Sequence, residues 1–340
     1  MIDVGFVGLG HNGMAHIEAH QRLGRSRVAA LCDCDPSRLA EAGERFGVER
    51  RYRSAAELCA DRGVQAVSIN TGDDDHVEPF LRAVEHRKHI LVEKPLANSP
   101  ADVDRMVEAA RRADPSLRIA VGYILRFNPV FEAVHRLCRE GSIGEIFCME
   151  ADYVHNLLYQ ARQIDPVSGA NWYLEQEKPM VGGGSHPLDL LRWFCGREVQ
   201  EVVGYSNRIA FPAMRHDDCA VALYRFAGGA VAKVAALYAP RREMAAYYNL
   251  RIYGTRGTVE RDTVALSRDE ADVHPAFVPI AADRVSGHPY DREIGDWLDA
   301  IDTGRPPRCD LFDGAASTMA ALLATQALGT GRAVPVPAFR

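Results

Sequence analysis

The sequence predicts an α/β fold whose first third is a doubly wound parallel sheet. Two observations carry that expectation. Over residues 1–123 short apolar runs alternate with segments of helical spacing, and a glycine-rich turn sits at the first junction between them. Such alternation builds βαβ units and a parallel sheet.

The elements follow in order along the chain. "IDVGFVG" is an apolar strand and "GMAHIEAHQRL" has helical spacing; "RVAALCD" and "SRLAEAGERFG" repeat the pair. "AVSIN", "HVEPFLRAVEHR" and "HILVE" read as strand, helix and strand. In "SPADVDRMVEAARRA", Ser99 is the expected N-cap, Pro100 takes the first helical position and Asp102 the first turn. "RIAVGY" closes the series, which bounds a first domain at 1–123 and leaves 124–340 for a second.

Composition narrows the function classes. At 340 residues the chain suits about two domains, and with 47% hydrophobic and 25% charged residues it suits a water-soluble globular protein. A formal charge of −6 argues against a nucleic-acid or anionic-membrane partner, since both need basic patches. "MIDVGFVGLG" has neither the basic lead nor the apolar core of a secretory leader. The uncharged run Gly314–Gly331 is broken by Gly, Ser, Thr and Gln and is expected to be a buried helix. Eight cysteines, at 32, 34, 59, 138, 148, 195, 219 and 309, never form C-x-x-C, so core thiols in a reduced, cytoplasmic compartment are expected.

"GLGHNG" places Gly8, Gly10 and Gly13 in G-x-G-x-x-G spacing, with His11 and Asn12 between. The pattern serves a tight turn, a backbone approaching a pyrophosphate and close helix–strand packing, and the helix N-terminus then offers free N–H groups to phosphate. Glycines at such turns are common, so context decides. Asp33 ends the second strand twenty residues after Gly13, where a carboxylate accepts hydrogen bonds from ribose hydroxyls and repels a 2′-phosphate. NAD is therefore expected over NADP. Arg38, inside the next helix, is the residue that would meet a 2′-phosphate, and an N-cap or turn carboxylate is the ordinary alternative for Asp33.

"VEKPLANS" at 92–99 ends a strand in Glu93–Lys94–Pro95. With "GFVGLGHNGMAH", "TGDDDHVEPFLRAVEHRKHILVEKPLA", "VGYILRFNP" and "GGGSHPLDLLRWF", the chain resembles the glucose–fructose oxidoreductase, inositol dehydrogenase and rhizopine-catabolism family, Gfo/Idh/MocA, over nearly its whole length. The resemblance implies an N-terminal Rossmann domain and a C-terminal α/β domain on a large, open, mostly antiparallel sheet that supports dimers or tetramers. "EIFCMEADYVH", "EVVGYSNRIAF", "DCAVALYRFA", "AVAKVAALYA" and "NLRIYGTRGTVE" supply its strands. A late helix at about 310–329 is implied to pack back on the first domain.

The resemblance also implies site roles. Lys94 faces the substrate hydroxyl and the nicotinamide ribose; a fixed ammonium there favours a developing alkoxide. The ordinary alternative is a solvated loop lysine. His186, directly after the glycine run Gly182–Gly184, opens a helix and exchanges the hydroxyl proton while hydride moves to or from nicotinamide. The family pattern carries an aspartate four residues before this histidine, where Gly182 stands. Asp189, three residues on, either compensates as a catalytic carboxylate or is a structural one. Thr71 and Gly72 are expected against the cofactor by backbone, with His76 opening the helix below the adenine–ribose portion. Glu93 and Arg126 are assigned to the cofactor as well, with packing as the equal alternative for Arg126. Tyr123, His155, Asn156 and Trp172 are candidates for substrate contact, with packing as the equal alternative, as it is for Tyr153. No metal is expected, because no histidine pair has zinc-helix spacing, and no G-x-S-x-G supports a hydrolase. The expected activity is NAD-dependent oxidation or reduction of a sugar, inositol or polyol. Its rivals are a glycosidase or lyase that uses NAD transiently, and a non-catalytic sensor on the same scaffold.

Overall fold

The computed structural model describes residues 1–157, 172–242, 247–269, 271–285 and 287–339. The chain forms two compact units, one of residues 1–127 and 287–315, the other of 128–286 and 316–340. The boundaries differ from two continuous spans at 123/124: residues 124–127 and 287–315 group with the first unit. The reason is packing, since Ile294, Trp297 and Leu298 lie in the same buried cluster as Val4, Phe6 and Ile17.

In the first unit, β1 (Ile2–Val7), β2 (Ser26–Cys32), β3 (Arg51–Tyr52), β4 (Ala66–Ile69), β5 (His89–Glu93) and β6 (Ile119–Gly122) form one sheet in the order β3-β2-β1-β4-β5-β6. Every pairing is parallel. The crossovers are α1 (His11–Leu23), α2 (Pro36–Phe46), α3 (Ala55–Ala60), α4 (Val77–Glu85) and α5 (Pro100–Arg111). This is the doubly wound order, with its switch point between β1 and β4. Local chemistry sets the helix starts. Asp35 caps α2 by accepting from the Ser37 amide at 2.8 Å, and Ser99 caps α5 by accepting from Asp102 at 3.2 Å, with Pro at the first helical position in both.

The second unit opens with α6 (Pro129–Arg139) and is built on β7 (Ile146–Val154). The short α7 (Trp172–Glu175) and α8 (Ser185–Cys195) come next. Then follow β8 (Val199–Asn207), β9 (Cys219–Phe226), β10 (Val231–Leu237), β11 (Arg251–Gly254), β12 (Gly257–Glu260), β13 (Thr263–Leu266) and β14 (Val278–Pro279). After α9 (Tyr290–Thr303) and α10 (Leu311–Thr330), β15 (Val334–Pro335) completes a nine-stranded sheet. Its order is β14-β13-β12-β11-β7-β10-β9-β8-β15, and only the β7–β10 pairing is parallel. On β9 burial alternates residue by residue, so the sheet has one packed and one open face. The uncharged run at 314–331 falls in α10, and no helix among the described residues is long and apolar enough to cross a membrane. All eight cysteines are free thiols.

The core of the first unit also encloses polar groups. His20 is fully buried, its Nδ1 2.6 Å from the Ser26 hydroxyl, and burial pushes its imidazole down to about 3, so it packs as a neutral ring. On α9, Glu293 is 2% exposed, and neither carboxyl oxygen has a hydrogen-bond partner among the described residues. Burial pushes this carboxyl well above the usual range, and the nearby Glu93 and Asp296 push it the same way. The unfolded chain therefore releases this proton at a lower pH than the folded chain, and stability falls as pH rises above the ordinary glutamate value. Glu293→Gln removes that dependence. Relative to the variant, the parent is expected to lose up to about 1.4 kcal/mol per pH unit until the buried group itself titrates. Denaturant unfolding of both proteins from pH 5 to pH 9 checks this; parallel pH profiles would contradict it.

Candidate functional site

In the first unit a cleft of about 930 Å³ opens at the carboxyl ends of β1, β2 and β4, lined among others by Gly8, Gly10, Asp33, Asn70 and Thr71. The glycine loop between β1 and α1 shapes its floor. Gly8 has φ +86°, and a Cβ there would lie 2.6 Å from the Asn70 carbonyl oxygen. A Cβ on Gly13 would run into the Gly8 carbonyl oxygen. Both glycines are thus required by the chain's own backbone. Gly10 is different: a Cβ there would meet nothing within 4 Å. It caps α1 without a side-chain bond, and His11 and Asn12 begin the helix exposed. The first-turn amides of a helix lack intrahelical acceptors and suit an anion.

Asp33 fixes this loop. Its Oδ2 accepts from the Leu9 amide at 2.7 Å and its Oδ1 from the Asp35 amide at 2.9 Å. An ionised carboxylate has about four lone-pair sites, so two remain for ribose hydroxyls. Arg38 lines the cleft with its Nε 3.5 Å from Asp35, which already balances its charge. Thr71 and Gly72 also line the cleft. Two polar atoms there, Asn70 Oδ1 and Thr71 Oγ1, are buried and have no hydrogen-bond partner among the described residues. A glycine loop open at Gly10, a carboxylate with spare lone pairs and two orphaned oxygens together fit a dinucleotide with an unphosphorylated ribose.

Lys94 stands at the end of β5, half-buried, with a cis peptide to Pro95. Behind it lies a chain of buried polar groups. The Lys94 amide donates to Glu93 Oε2 at 3.1 Å, and Glu93 Oε1 is 3.1 Å from His16 Nε2. His16 Nδ1 is 3.2 Å from the Ser68 hydroxyl, and Ser68 accepts from Asn70 Nδ2 at 3.0 Å. Burial alone would raise the Glu93 carboxyl, but the His16 bond and the charges of His16 and Lys94 hold it below the usual range. Glu93 therefore sits behind the Lys94 backbone as an anion.

In the second unit the glycine run before α8 is explained by its neighbours. A Cβ on Gly182 would run into the carboxylate of Glu177. One on Gly183 would run into the Tyr153 ring and lie 2.7 Å from the Tyr238 hydroxyl, and one on Gly184 would lie 2.9 Å from Met180 Cα. His186 is 8% exposed in the first turn of α8. Its ring stacks with Tyr153 at 6.4 Å between centroids, and Tyr153 stacks with His155 at 5.6 Å. His155 and Asn156 are half-buried just past the end of β7. Trp172 opens α7, and its side chain lies outside the described residues.

Four of the expected site residues are buried and hydrogen-bonded or packed within their own unit. Arg126 is 1% exposed, with Nη1 donating to the Arg308 carbonyl at 3.1 Å and to Asp313 at 3.2 Å. Tyr123 is 1% exposed. His76 is fully buried, with Nδ1 2.8 Å from the Pro95 carbonyl oxygen and Nε2 3.2 Å from that of Thr71. It opens α4 at the N-cap position, as expected, and ties the Thr71 and Pro95 loops together. Asp189, 1% exposed, accepts from the Ser317 hydroxyl at 2.6 Å, and Ser317 in turn accepts from Arg192 at 2.8 Å. Sequence reading missed Glu177, Tyr238, His16 and Asn70, none of which stands in a motif of its own. Asn70 alone carried a signal, as the last residue of an apolar run that ends at the cleft.

Comparison with known proteins agrees with both units. A model described as oxidoreductase family, NAD-binding Rossmann fold, matches residues 2–123, and the GFO/IDH/MocA C-terminal domain model matches residues 131–260. The chain is similar to myo-inositol 2-dehydrogenase of Thermotoga maritima, 27% identical over 97% of each chain. It is 29% identical to D-apiose dehydrogenase of Rhizobium rhizogenes over 74% of this chain and 71% of that one. Among solved structures, levoglucosan dehydrogenase in complex with NADH matches with TM-score 0.85 and 24% identity, covering 99% of this chain and 100% of the other. An oxidoreductase domain protein from Kribbella flavida matches with TM-score 0.88 and 22% identity over 99% of both. The two structural likenesses speak for the fold. With one family's two domain models matched in succession along it, the chain belongs to the Gfo/Idh/MocA family of NAD-binding oxidoreductases.

Proposed function

We propose that the protein is an NAD-dependent dehydrogenase of a sugar or polyol secondary alcohol, or a reductase of the corresponding ketone. The observation that supports it most directly is Gly10, a glycine that nothing in the chain requires, set in a loop clamped by Asp33. The curated relatives act on inositol and apiose by name, and both are polyhydroxylated, which sets the substrate class.

Bound NAD supplies the hydride acceptor, and NADH the donor. In oxidation the carbinol C–H bond breaks with its electron pair, and His186 takes the hydroxyl proton as the C=O bond forms. In reduction His186 returns that proton. The Lys94 ammonium is proposed to stabilise a developing alkoxide. His155 and Asn156 are proposed to meet substrate hydroxyls. Eight free thiols suit a reducing compartment, and we place the enzyme in the cytoplasm.

We further propose that the open sheet face of the second unit seats a second copy. By register Tyr205, Val221, Leu223 and Val231 share that face, and each is at least 37% exposed. Leu223→Glu is expected to lower the molar mass by sedimentation to that of one chain; an unchanged mass would remove this face from the assembly.

Two measurements test the chemistry. Absorbance at 340 nm with NAD and a panel of inositols, aldoses and glycosides is expected to rise with one substrate class. The rise is expected to fall at least about a hundredfold in His186→Ala or Lys94→Ala, the scale of a lost general base or charge stabiliser. Consumption of a glycoside without NADH accumulating would instead indicate transient oxidation. Asp33→Ala is expected to weaken NAD binding by about 1.5–3 kcal/mol, roughly ten- to hundredfold, and to narrow the preference over NADP. Fluorescence titration with both nucleotides reads this, and unchanged affinities would refute the ribose assignment.

A further inference from the structure

We infer that Glu177 is a positioning residue for His186, acting through Tyr238 and the amide of Gly183. The inference rests on the proposed role of His186 as the proton-transfer group. Its basis is geometry within the second unit. Glu177 is 5% exposed, and its carboxylate occupies the volume that any side chain at 182 would fill. The Tyr238 hydroxyl, fully buried, donates to Glu177 Oε1. The same hydroxyl oxygen accepts from the Gly183 amide at 2.8 Å. Gly183 is itself bound to the helix start, because its carbonyl accepts from the His186 amide at 3.2 Å.

A tyrosine hydroxyl has one proton and two lone pairs, so giving its proton to a carboxylate orients a lone pair toward another donor. Hydrogen bonds to a charged acceptor are the stronger kind. The two links Glu177–Tyr238–Gly183 therefore fix the height of the turn from which α8, and with it the His186 ring, begins. The Tyr153 ring closes the other side, since it crowds Gly183 and stacks on His186. The glycine run follows from this arrangement. Gly182 is a glycine because the carboxylate arrives from Glu177, five residues earlier, rather than from position 182 itself. Buried polar links of this kind are effective only when every member is satisfied, so removing one end is expected to release the rest.

The test is a carboxylate swap in the full-length protein with saturating NAD. Glu177→Gly is expected to lower kcat at least tenfold while substrate KM changes less than threefold, because a displaced base slows proton transfer more than it weakens binding. Gly182→Asp alone is expected to lose activity through the clash with Glu177. The double variant Glu177→Gly/Gly182→Asp, which returns one carboxylate to the same volume, is expected to recover at least tenfold in kcat over Glu177→Gly. Tyr238→Phe is expected to lower kcat similarly and to add less than twofold on top of Glu177→Gly, as members of one chain do. NAD affinity and melting temperature, measured on each variant, separate misfolding from mispositioning, and rescue by the double variant is an outcome that a merely unfolded protein cannot give. An unchanged kcat in Glu177→Gly, or independent additive losses with no rescue, would overturn the inference. Full activity in His186→Ala would instead overturn the proton-transfer reading beneath it.

Discussion

The carboxylate of Asp33 is the interaction on which the first unit's chemistry depends. It stands at the carboxyl end of β2, beside the switch point of the sheet, and spends one oxygen on the Leu9 amide and the other on the Asp35 amide. The first bond holds the glycine loop closed against β2, and the second leads into the capping turn of α2. One side chain thus orders two strand-to-helix junctions before any ligand arrives. Pre-ordering of this kind lowers the entropy a ligand would otherwise have to meet on binding. The carboxylate keeps spare lone pairs on the cleft side because amide donors occupy only half of its capacity.

A second constraint separates two carboxyl groups in charge. Glu93 and Glu293 are both buried in the first unit, and the charge of Glu93 pushes Glu293 upward, yet only Glu93 has hydrogen-bond partners among the described residues. Glu93 has His16 and the Lys94 amide and is held below the usual carboxylate range; Glu293 has no hydrogen-bond partner among the described residues, and burial pushes it well above that range. Two like groups with environments that drive them apart are a recurrent way to fix a charge where a site needs it. Here the fixed charge lies directly behind the backbone of Lys94. The polar chain continues through Ser68 to Asn70, so the loop of Lys94 and the wall of the cleft are joined by hydrogen bonds rather than by packing alone.

Most of this fold was legible in the sequence, and much of the site was not. The strands and longer helices of residues 1–123 follow from periodicity and caps; only the two-residue β3 and the six-residue α3 escape, being too short to show a period. The five segments expected as strands after residue 123 form β7 to β12, the last of them supplying both β11 and β12, while β13 to β15 carry too little alternation to be read. Site residues were legible where a motif fixed them to backbone geometry, as with Gly8, Gly13 and Asp33. Reading failed where residue type suggested chemistry but burial decided otherwise. Arg126 and His76 look like ligand contacts in a string of letters, yet Arg126 Nη1 donates to the Arg308 carbonyl and to Asp313, and His76 lies against the carbonyls of Pro95 and Thr71. Glu177 failed in the opposite sense, since nothing local marks a glutamate whose partner lies at Tyr238.

The glycines state the difference between structural and functional sequence signals most directly. A glycine is informative only when its missing Cβ is placed in the fold. At Gly8 and Gly13 that atom would strike the protein's own backbone, and at Gly182, Gly183 and Gly184 it would strike Glu177, Tyr153 and Met180. Those five residues are glycine for reasons internal to the chain, and a ligand need not be invoked for any of them. At Gly10 the same atom would enter an open cleft. Helix and cap propensities do not ask for glycine there, because Ser, Thr, Asp or Asn caps a helix as well or better. What remains is close approach of something that is not protein, and the amides at the head of α1 make an anionic group the natural occupant.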